Sequence, residues 1–230
     1  MVDNFKIIEE YIAKQTLTWK EGDCYYVQLL RRQADDPMIG GVKDKKYHGN
    51  MHSRSIKDYL IRSVDHLEDV KQQIIEFCKL ENVRAYIRLN KRNYKNIALE
   101  MLKHIAEQAA SGETFSSPFH LVSSACGQCC QAGDDKTWIV DLDKEYLPYE
   151  AEIIDIICQC QPHNKRIEEC GDKAKYIKEN FFIVPTKSGK HIVCKPFNKQ
   201  MFGEFWATSS MKDMKVLDIH KDNPTILYVP

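Results

Sequence analysis

Three stretches in the first half of the chain place apolar side chains at helical spacing. The first follows Asp3, the second precedes residue 80, and the third begins near Tyr94 and ends at Gly112. Apolar positions three and four residues apart form one face of an amphipathic helix. We therefore expect three helices that turn these positions inward. The positions are Phe5, Ile8 and Ile12; Leu67, Val70, Ile74, Phe77 and Cys78; and Ile97, Met101, Leu102 and Ile105.

Two stretches between these helices have the pattern of strands. One is the apolar run from Cys24 to Leu30, CYYVQLL. The other is VRAYIRLN, residues 83–90, in which apolar and polar residues alternate and Arg84 and Arg88 share a face. Such alternation predicts a half-buried strand, here with a cationic and aromatic outer face. The polar, glycine-rich stretch from 35 to 54 predicts an extended loop.

Beyond Gly112 the pattern changes to short strands and hairpins, with helices expected near residues 149–158 and 165–177. This change divides the chain into an N-terminal α/β subdomain, residues 1–112, and a sheet-rich subdomain, residues 113–230. We expect the two to interlock as one unit. With an α/β first part and a sheet-rich second part, the predicted fold class is α+β.

The balance of charge excludes attraction of nucleic acid by an overall positive charge. The 33 lysines and arginines match the 33 aspartates and glutamates, so the formal net charge is +0. A polyanion site would therefore have to be a local patch. No apolar run approaches the roughly 18–20 residues that span a bilayer, and the N-terminus is amphipathic where a signal peptide would be apolar. We expect a cytoplasmic protein without a membrane partner.

Two carboxylates stand in a stretch that otherwise favours a buried strand. In residues 136–145, KTWIVDLDKE, Asp141 and Asp143 share one face, and the apolar residues that alternate with them pack on the other. Same-face residues lie about 6.5–7 Å apart, so both carboxylates can converge on divalent cations. A pair of Mg²⁺ or Mn²⁺ ions about 3.5–4 Å apart is the usual device for nucleotidyl transfer. An isolated Asp-x-Asp also fits a solvated strand end.

A later hairpin pattern carries donors for an anion. Residues 181–197, FFIVPTKSGKHIVCKPF, place two apolar runs around a turn formed by Ser188, Gly189, Lys190 and the residue before them. Together with His191, this turn offers free N–H groups, a hydroxyl and cationic donors, which suits a triphosphate. An ordinary polar hairpin has the same composition.

A third acid lies near the end of the chain. Residues 215–230, KVLDIHKDNPTILYVP, embed Asp218 in a predicted strand that leads through a turn into a final hairpin. The chain thus contains, in this order, a strand with the pattern hhhDhD (h is a hydrophobic residue), a Ser/Gly–His hairpin and a strand with the pattern hDh. This order resembles the archaeo-eukaryotic primase superfamily of primases and primase-polymerases. The resemblance covers roughly residues 136–230.

The resemblance implies a primase-polymerase-like core with a mixed sheet flanked by helices. It also implies that this core catalyses template-directed nucleotidyl transfer, as a DNA primase or DNA polymerase. It implies that Asp141, Asp143 and Asp218 bind two catalytic Mg²⁺ or Mn²⁺ ions, and that Ser188 and His191 bind the nucleotide's phosphates. The implied partners are nucleoside triphosphates and a single-stranded or primer-template nucleic acid. A nucleoid-associated location is then an alternative to a purely cytoplasmic one.

The sequence departs from the family pattern at two points. The family hairpin reads Ser-x-His, whereas Gly189 and Lys190 both separate Ser188 from His191. The chain also ends about ten residues past the third acid. We therefore expect a helicase or helical accessory domain to be supplied separately, and de novo priming is a weaker expectation than nucleotidyl transfer.

Cationic side chains are concentrated around the strand at 83–90. Arg84, Arg88, Lys91 and Arg92 are interleaved with Tyr86. Cations beside aromatic rings are typical of single-strand binding, so we expect these residues to contact template or triphosphate, although a solvated strand edge has the same composition. A second cluster in the polar loop consists of Lys43, Lys45, Lys46, His48 and Arg54.

The nine cysteines raise the possibility of a zinc site. Their odd number argues for a reducing compartment over a disulfide framework. A Cys-x-x-Cys followed by Cys-x-Cys and a nearby histidine can form a tetrahedral site, but only half of the usual spacing is present. Structural zinc is therefore not favoured over a core role for these residues. The candidates are Cys126, Cys129, Cys130, Cys158, Cys160, His163 and Cys170.

Two other functions use the same residues. A metal-dependent nuclease would use the three acids with His191 as general base. A non-catalytic single-strand-binding module would leave the acids solvated. Nucleotide incorporation onto a primed template, measured against degradation of that template, separates the three functions.

Overall fold

The computed structural model describes residues 1–15, 18–32, 35, 53–112, 118–129, 136–161 and 173–230. The chain forms two compact units, Met1–Ala132 with Ile226–Pro230 and Gly133–Thr225. The boundary thus follows residue 132, where the sequence predicted 112, and the last strand returns to the first unit.

The described residues contain nine strands and seven α-helices. The strands are β1 (Val2–Asp3), β2 (Asp23–Arg32), β3 (Ser53–Ile61), β4 (Arg84–Asn93), β5 (Trp138–Asp143), β6 (Phe182–Pro185), β7 (Gly189–Cys194), β8 (Ile219–His220) and β9 (Thr225–Val229). The helices are α1 (Phe5–Lys14), α2 (Val64–Glu81), α3 (Tyr94–Ser111), α4 (Pro118–Gln128), α5 (Glu150–Cys160), α6 (Lys173–Asn180) and α7 (Lys199–Trp206). A 3-10 helix, Lys144–Tyr149, joins β5 to α5.

The first unit is built on a five-stranded sheet in the order β1-β9-β4-β2-β3. Both faces of this sheet are covered. Tyr25 of β2 contacts Tyr11 of α1, with 6.3 Å between ring centroids. Tyr26, the next residue, packs with Ala125 and Cys126 of α4. Since successive strand residues point to opposite faces, α1 and α4 lie on opposite sides of the sheet.

Local signals explain where the helices of this unit begin and end. The Ser63 side chain accepts a hydrogen bond from the backbone N–H of His66 at the start of α2, and Asn93 accepts one from Lys95 at the start of α3. Such caps satisfy N–H groups that have no partner within the helix. Gly112 ends α3 with a φ of 71°, as the sequence predicted.

The second unit is built on a four-stranded sheet in the order β6-β7-β5-β8. One face forms the core of the unit. There Val140 and Leu142 of β5 pack with residues of α5 and α7, among them Ile157 and Trp206. The other face carries the acids of β5, and it positions the candidate site.

The structure confirms an α+β fold but differs from the predicted mixed sheet. The pairs β1–β9, β2–β3 and β2–β4 run antiparallel in the first unit. The pairs β5–β7, β5–β8 and β6–β7 run antiparallel in the second. The predicted final hairpin is also wrong, because β8 and β9 belong to different sheets.

Candidate active site

The register of the second sheet brings the predicted acids onto one face. Asp141 lies opposite His191 of β7, and Asp143 lies opposite Gly189. On the other side of β5, the Asp141 N–H donates to the Asp218 carbonyl oxygen at 3.1 Å. Directly opposed residues of antiparallel strands point to the same side of the sheet. Asp218, Asp141 and His191 therefore form a row across three neighbouring segments, with Asp143 two residues further along β5.

His191 is held between two oxygen atoms. Its Nε2 lies 3.5 Å from Asp141 Oδ1, and its Nδ1 lies 2.8 Å from Thr225 Oγ1. With the proton on Nε2, the ring donates toward Asp141 and accepts at Nδ1 from the Thr225 hydroxyl. Thr225 is fully buried, so it fixes the inner edge of the ring. Sequence analysis missed Thr225, because 34 residues separate it from His191.

The charge of Asp141 is stabilised by this arrangement. The pKa of Asp141 lies below its ordinary value, because the hydrogen bond from His191 and the electrostatic effects of His191 and His220 outweigh the effect of burial. A carboxylate held in its ionised form in a protein of neutral net charge is suited to bind a cation.

The other two acids are exposed, and Asp218 has a cationic partner. Asp143 ends β5 at the surface. The Asp218 side chain is 64% exposed and lies 3.3 Å from Lys215 Nζ. The segment before Asp218 is anchored by the Tyr146 hydroxyl, which donates to the Lys215 carbonyl at 2.9 Å. The position of Asp218 is therefore set by the core of the second unit.

Gly189 has a structural role that the sequence did not show. The predicted turn included Gly189 and Lys190, but both lie in β7, and the hairpin tip is formed by residues 186–188 with Ser188 exposed. A Cβ atom at Gly189 would lie 1.9 Å from the carbonyl oxygen of Leu142. The strands β5 and β7 approach so closely here that only glycine fits.

Lys190 is turned away from the acids. It lies opposite Leu142 in the β5–β7 register, so it is on the face that carries the core of the unit. Its Nζ is 2.6 Å from Glu150 Oε2. This ion pair at the start of α5 does not support the prediction that Lys190 binds the same triphosphate as His191.

The donor atoms fit a hard divalent cation, although the side chains are not gathered around one point. Among the described residues, no group of three or more His, Cys, Asp and Glu side chains could hold a metal ion as they stand. Carboxylate oxygens are the ligands that Mg²⁺ and Mn²⁺ prefer. Asp141 already has His191 Nε2 at 3.5 Å, and Asp218 has the Lys215 ammonium group at 3.3 Å. The fit rests on this donor chemistry and on the shared face.

Two of the four predicted nucleic-acid contacts are buried, which contradicts an exposed binding face there. Arg92 is 0% exposed and its Nε donates to the Cys126 carbonyl at 2.9 Å, while Lys91 is 5% exposed and donates to the Thr18 carbonyl at 2.7 Å. The physical reason is position, since β4 is a central strand between β9 and β2.

The remaining cations of that cluster lie near the surface. Arg84 forms an ion pair with Asp35 at 2.5 Å, and Arg88 is partly exposed opposite Tyr26 of β2. Arg54 of β3 is exposed. The other four members of the loop cluster, residues 43, 45, 46 and 48, lie outside the described residues.

The cysteines that the structure describes are free thiols in the core or close to it. Cys158 and Cys160 of α5 belong to the core of the second unit, which agrees with the preference for a core role over zinc ligation. Burial raises the pKa of Cys126 to about 12, so this thiol is not poised to ligate a metal. Three zinc candidates, at positions 130, 163 and 170, lie outside the described residues.

Comparison of the chain with protein-family models, curated proteins and solved structures finds no match. The resemblance to primases therefore rests on the residues alone. In the part of the chain that the structure describes, no helix is long and apolar enough to cross a bilayer.

Proposed function

We propose that the protein is a metal-dependent nucleotidyltransferase of the primase-polymerase type, which adds nucleotides to the 3′ end of a template-paired strand. The observation that supports it best is the row of Asp218, Asp141 and His191 on the face that also carries Asp143. Three acids from two distant stretches of sequence share that face with a histidine. An isolated Asp-x-Asp does not account for the position of Asp218 beside Asp141.

The three acids would hold the divalent cations. When bound, Mg²⁺ or Mn²⁺ supplies Lewis-acid stabilisation for the attacking 3′ oxygen and the α-phosphate. Asp141 would be the central ligand, because it lies between the other two acids and is kept ionised. Asp143 and Asp218, both exposed, are free to turn toward the same cations.

His191 would bind the phosphates of the incoming nucleotide. A cation that takes over Asp141 leaves Nε2 of His191 to donate to a phosphate oxygen, while Thr225 continues to hold Nδ1. The exposed Ser188 at the hairpin tip would add a hydroxyl donor. Lys190 is left out of this phosphate site, because it faces the other side of the sheet.

Primer extension with labelled nucleotides tests the proposal. With Mg²⁺ or Mn²⁺, the parent should incorporate nucleotides onto a primed template, and Asp143→Ala and Asp218→Ala should each reduce incorporation at least 100-fold. Asp213→Ala is the matched control, because Asp213 is an exposed acid of the same unit. A parent that incorporates nothing with either metal, or acid variants that match the control, would overturn the proposal.

A metal-dependent nuclease is the second candidate, and one observation favours it. His191 stands 3.5 Å from Asp141, as a histidine general base oriented by a carboxylate would. The same reaction with an end-labelled primer distinguishes the two on a gel, because a nuclease shortens the primer in the absence of nucleotides whereas a polymerase leaves it intact.

A further inference from the structure

The start of β5 carries a basic and aromatic surface that we call the Trp138 surface, formed by Trp138, Lys199 and Lys221. Lys199 Nζ lies 5.4 Å from the centroid of the Trp138 ring, and Lys221 Nζ lies 5.8 Å from it. Both lysines are exposed and the indole is partly exposed. The two ammonium groups therefore meet at one ring that solvent and ligands can reach.

Three separate elements fix this surface. Continuing the β5–β8 register past Ile139 and His220 places Lys221 opposite Trp138. Lys199 begins α7, and its Nζ also donates to the Ile219 carbonyl at 2.9 Å. Phe197 packs edge-on against the indole, with 5.3 Å between centroids. The ring and both ammonium groups are thus positioned before any ligand arrives.

The two ammonium groups of the Trp138 surface repel each other. The pKa of Lys199 lies below its ordinary value, because partial burial disfavours the ammonium form and the charge of Lys221 repels it. Lys136 precedes β5 by two residues and Lys195 follows β7 directly, so two further lysines lie at this end of the sheet. Lys195 is on the other face, because its neighbour Cys194 lies opposite Trp138. Asp222 is the acid next to Lys221 in sequence. An anionic ligand would relieve this repulsion.

We infer that the Trp138 surface binds single-stranded nucleic acid through its phosphates. Lysine ammonium groups are point charges suited to phosphate oxygens, and an aromatic ring among cations is the pattern of single-strand binding surfaces. An acidic peptide would satisfy the charges but would make no use of the ring. The inference does not depend on catalysis by the acids.

The position on β5 gives the surface a defined relation to the acids. Trp138 precedes Asp141 by three residues, about 10 Å along the strand, or roughly three stacked nucleotides. The two residues point to opposite faces, and β8 is the edge of the sheet beside them. A nucleic-acid strand bound at Trp138 would have to pass this edge of the sheet to reach the acids. The Trp138 surface would therefore provide affinity without taking part in the reaction.

Binding of a fluorescein-labelled 20-mer of deoxythymidine tests the inference. Anisotropy is measured with the full chain in EDTA, without nucleotide, across a salt series. Lys199→Ala/Lys221→Ala should weaken binding about tenfold and should reduce the slope of log affinity against log salt by about 1.4, since each phosphate contact contributes about 0.7 on single strands. The matched control is Lys178→Ala/Lys212→Ala, which removes two exposed lysines of the same unit and should leave the slope unchanged.

The indole is tested separately. Trp138→Phe keeps a ring against Phe197 and should retain most of the affinity, whereas Trp138→Leu should lose at least threefold at an unchanged melting temperature. If Trp138→Leu does not fold, the lysine variants still test the inference.

Three results would overturn the inference. They are a lysine double variant that binds like its control, a parent that does not bind the oligonucleotide at 50 mM salt, and a polyglutamate peptide of equal charge that competes as well as the oligonucleotide. Failure of the proposed activity gives a different result, because a parent that binds through these lysines but incorporates no nucleotide refutes only the polymerase.

Discussion

Thr225 shows how one buried hydroxyl can fix the orientation of a side chain that is distant in sequence. It is 0% exposed and lies 2.8 Å from His191 Nδ1. A hydroxyl can donate or accept, so it serves either tautomer of the ring, but in both cases it holds the plane of the imidazole. His191 Nε2 is thereby aimed toward the face of the acids.

Replacing Thr225 with valine should therefore weaken nucleotide binding. Valine fills the same space without the hydroxyl, and losing one such hydrogen bond costs about 0.5–1.5 kcal/mol. We expect the KM for nucleotide to rise roughly threefold to tenfold in Thr225→Val, with a smaller change in kcat. Thr225→Ser keeps the hydroxyl and should restore the KM. Equal KM values for the valine and serine variants would contradict this role.

Asp58 of β3 gives a pH-dependent prediction in the first unit. Burial raises its pKa above the ordinary 3.8, although hydrogen bonds from Tyr26 and Ser55 oppose the shift. An acid whose pKa rises on folding holds its proton more tightly in the folded chain, so folding stability falls as the pH rises above 3.8. Asparagine can still accept both hydrogen bonds but does not ionise.

The melting temperature of Asp58→Asn, relative to the parent, should therefore increase between pH 3 and pH 7. Each kcal/mol of relieved cost corresponds to about 2–4 °C in a chain of this size. Asp65→Asn is the control, because Asp65 is exposed at the start of α2. A difference between variant and parent that stays constant with pH would show that Asp58 ionises as easily in the folded chain as in the unfolded one.

The faces on which single residues lie, and their exposure, were predictable only in part. The alternation of β5 placed Asp141 and Asp143 on one face, and the structure agrees. The cluster of cationic residues around β4 predicted an exposed face that included Lys91 and Arg92, yet both are buried. A cluster of charges in the sequence does not show whether other elements cover it, and here β4 lies in the middle of the sheet.

Between strands, the contact of β5 with β7 depends on Gly189. Its missing Cβ would lie 1.9 Å from the Leu142 carbonyl oxygen and 3.0 Å from Asp143 Cα. Both are backbone atoms, so the strands themselves must separate to admit a methyl group. Gly189→Ala should therefore destabilise the chain by about 1–3 kcal/mol, a cost typical of overpacking.

The melting temperature measures this effect against a matched glycine. A Cβ at Gly203, inside α7, would meet nothing within 4 Å, and alanine is favoured over glycine in a helix by about 0.5–1 kcal/mol. Gly203→Ala should thus raise the melting temperature while Gly189→Ala lowers it. A fall of the same size in both variants would mean that the close approach of β5 and β7 has no energetic consequence.

The helices and strands that sequence analysis missed have weak local patterns. The edge strand β3, with the sequence SRSIKDYLI, is mostly polar, and the predicted loop extended into its start. α7 contains a glycine and three aromatic residues, and its clear signal is the Asn198 cap, which accepts from Gln200 and Met201. In α3 the expected inward positions Leu102 and Ile105 are 63% and 37% exposed, because periodicity does not tell which helix face has a neighbour.

For the whole chain, the α+β class followed from the patterns but the division into two sheets did not. β8 and β9 are separated by four residues and read as a hairpin, yet β9 pairs with β1 at the other end of the sequence. The predicted helices 1–3 were found within a few residues of their expected bounds. Long-range pairing depends on contacts that no local pattern contains.

Binding of a divalent cation to the face that carries the three acids should stabilise the fold. Three carboxylates on one face would repel one another, but Asp141 already faces His191 and Asp218 already faces Lys215. The metal-free fold is thus partly compensated, and Mn²⁺ must displace these partners. A ligand that binds only the folded state still stabilises it, by about 2.7 kcal/mol at 100 times its Kd. We therefore expect a rise of roughly 5–10 °C in melting temperature with saturating Mn²⁺.

The variant Asp141→Asn should lose most of that rise, because it removes the central carboxylate of the row, whereas Asp213→Asn should keep it. Lys215→Ala should instead strengthen Mn²⁺ binding. It frees Asp218 from its 3.3 Å contact with an ammonium group, so half-maximal stabilisation should occur at a lower Mn²⁺ concentration. Differential scanning fluorimetry over a Mn²⁺ titration measures all three variants. A parent whose melting curve is unchanged by saturating Mn²⁺ would remove the physical basis for metal-dependent chemistry at this face, because the carboxylates would then be fully satisfied by His191 and Lys215.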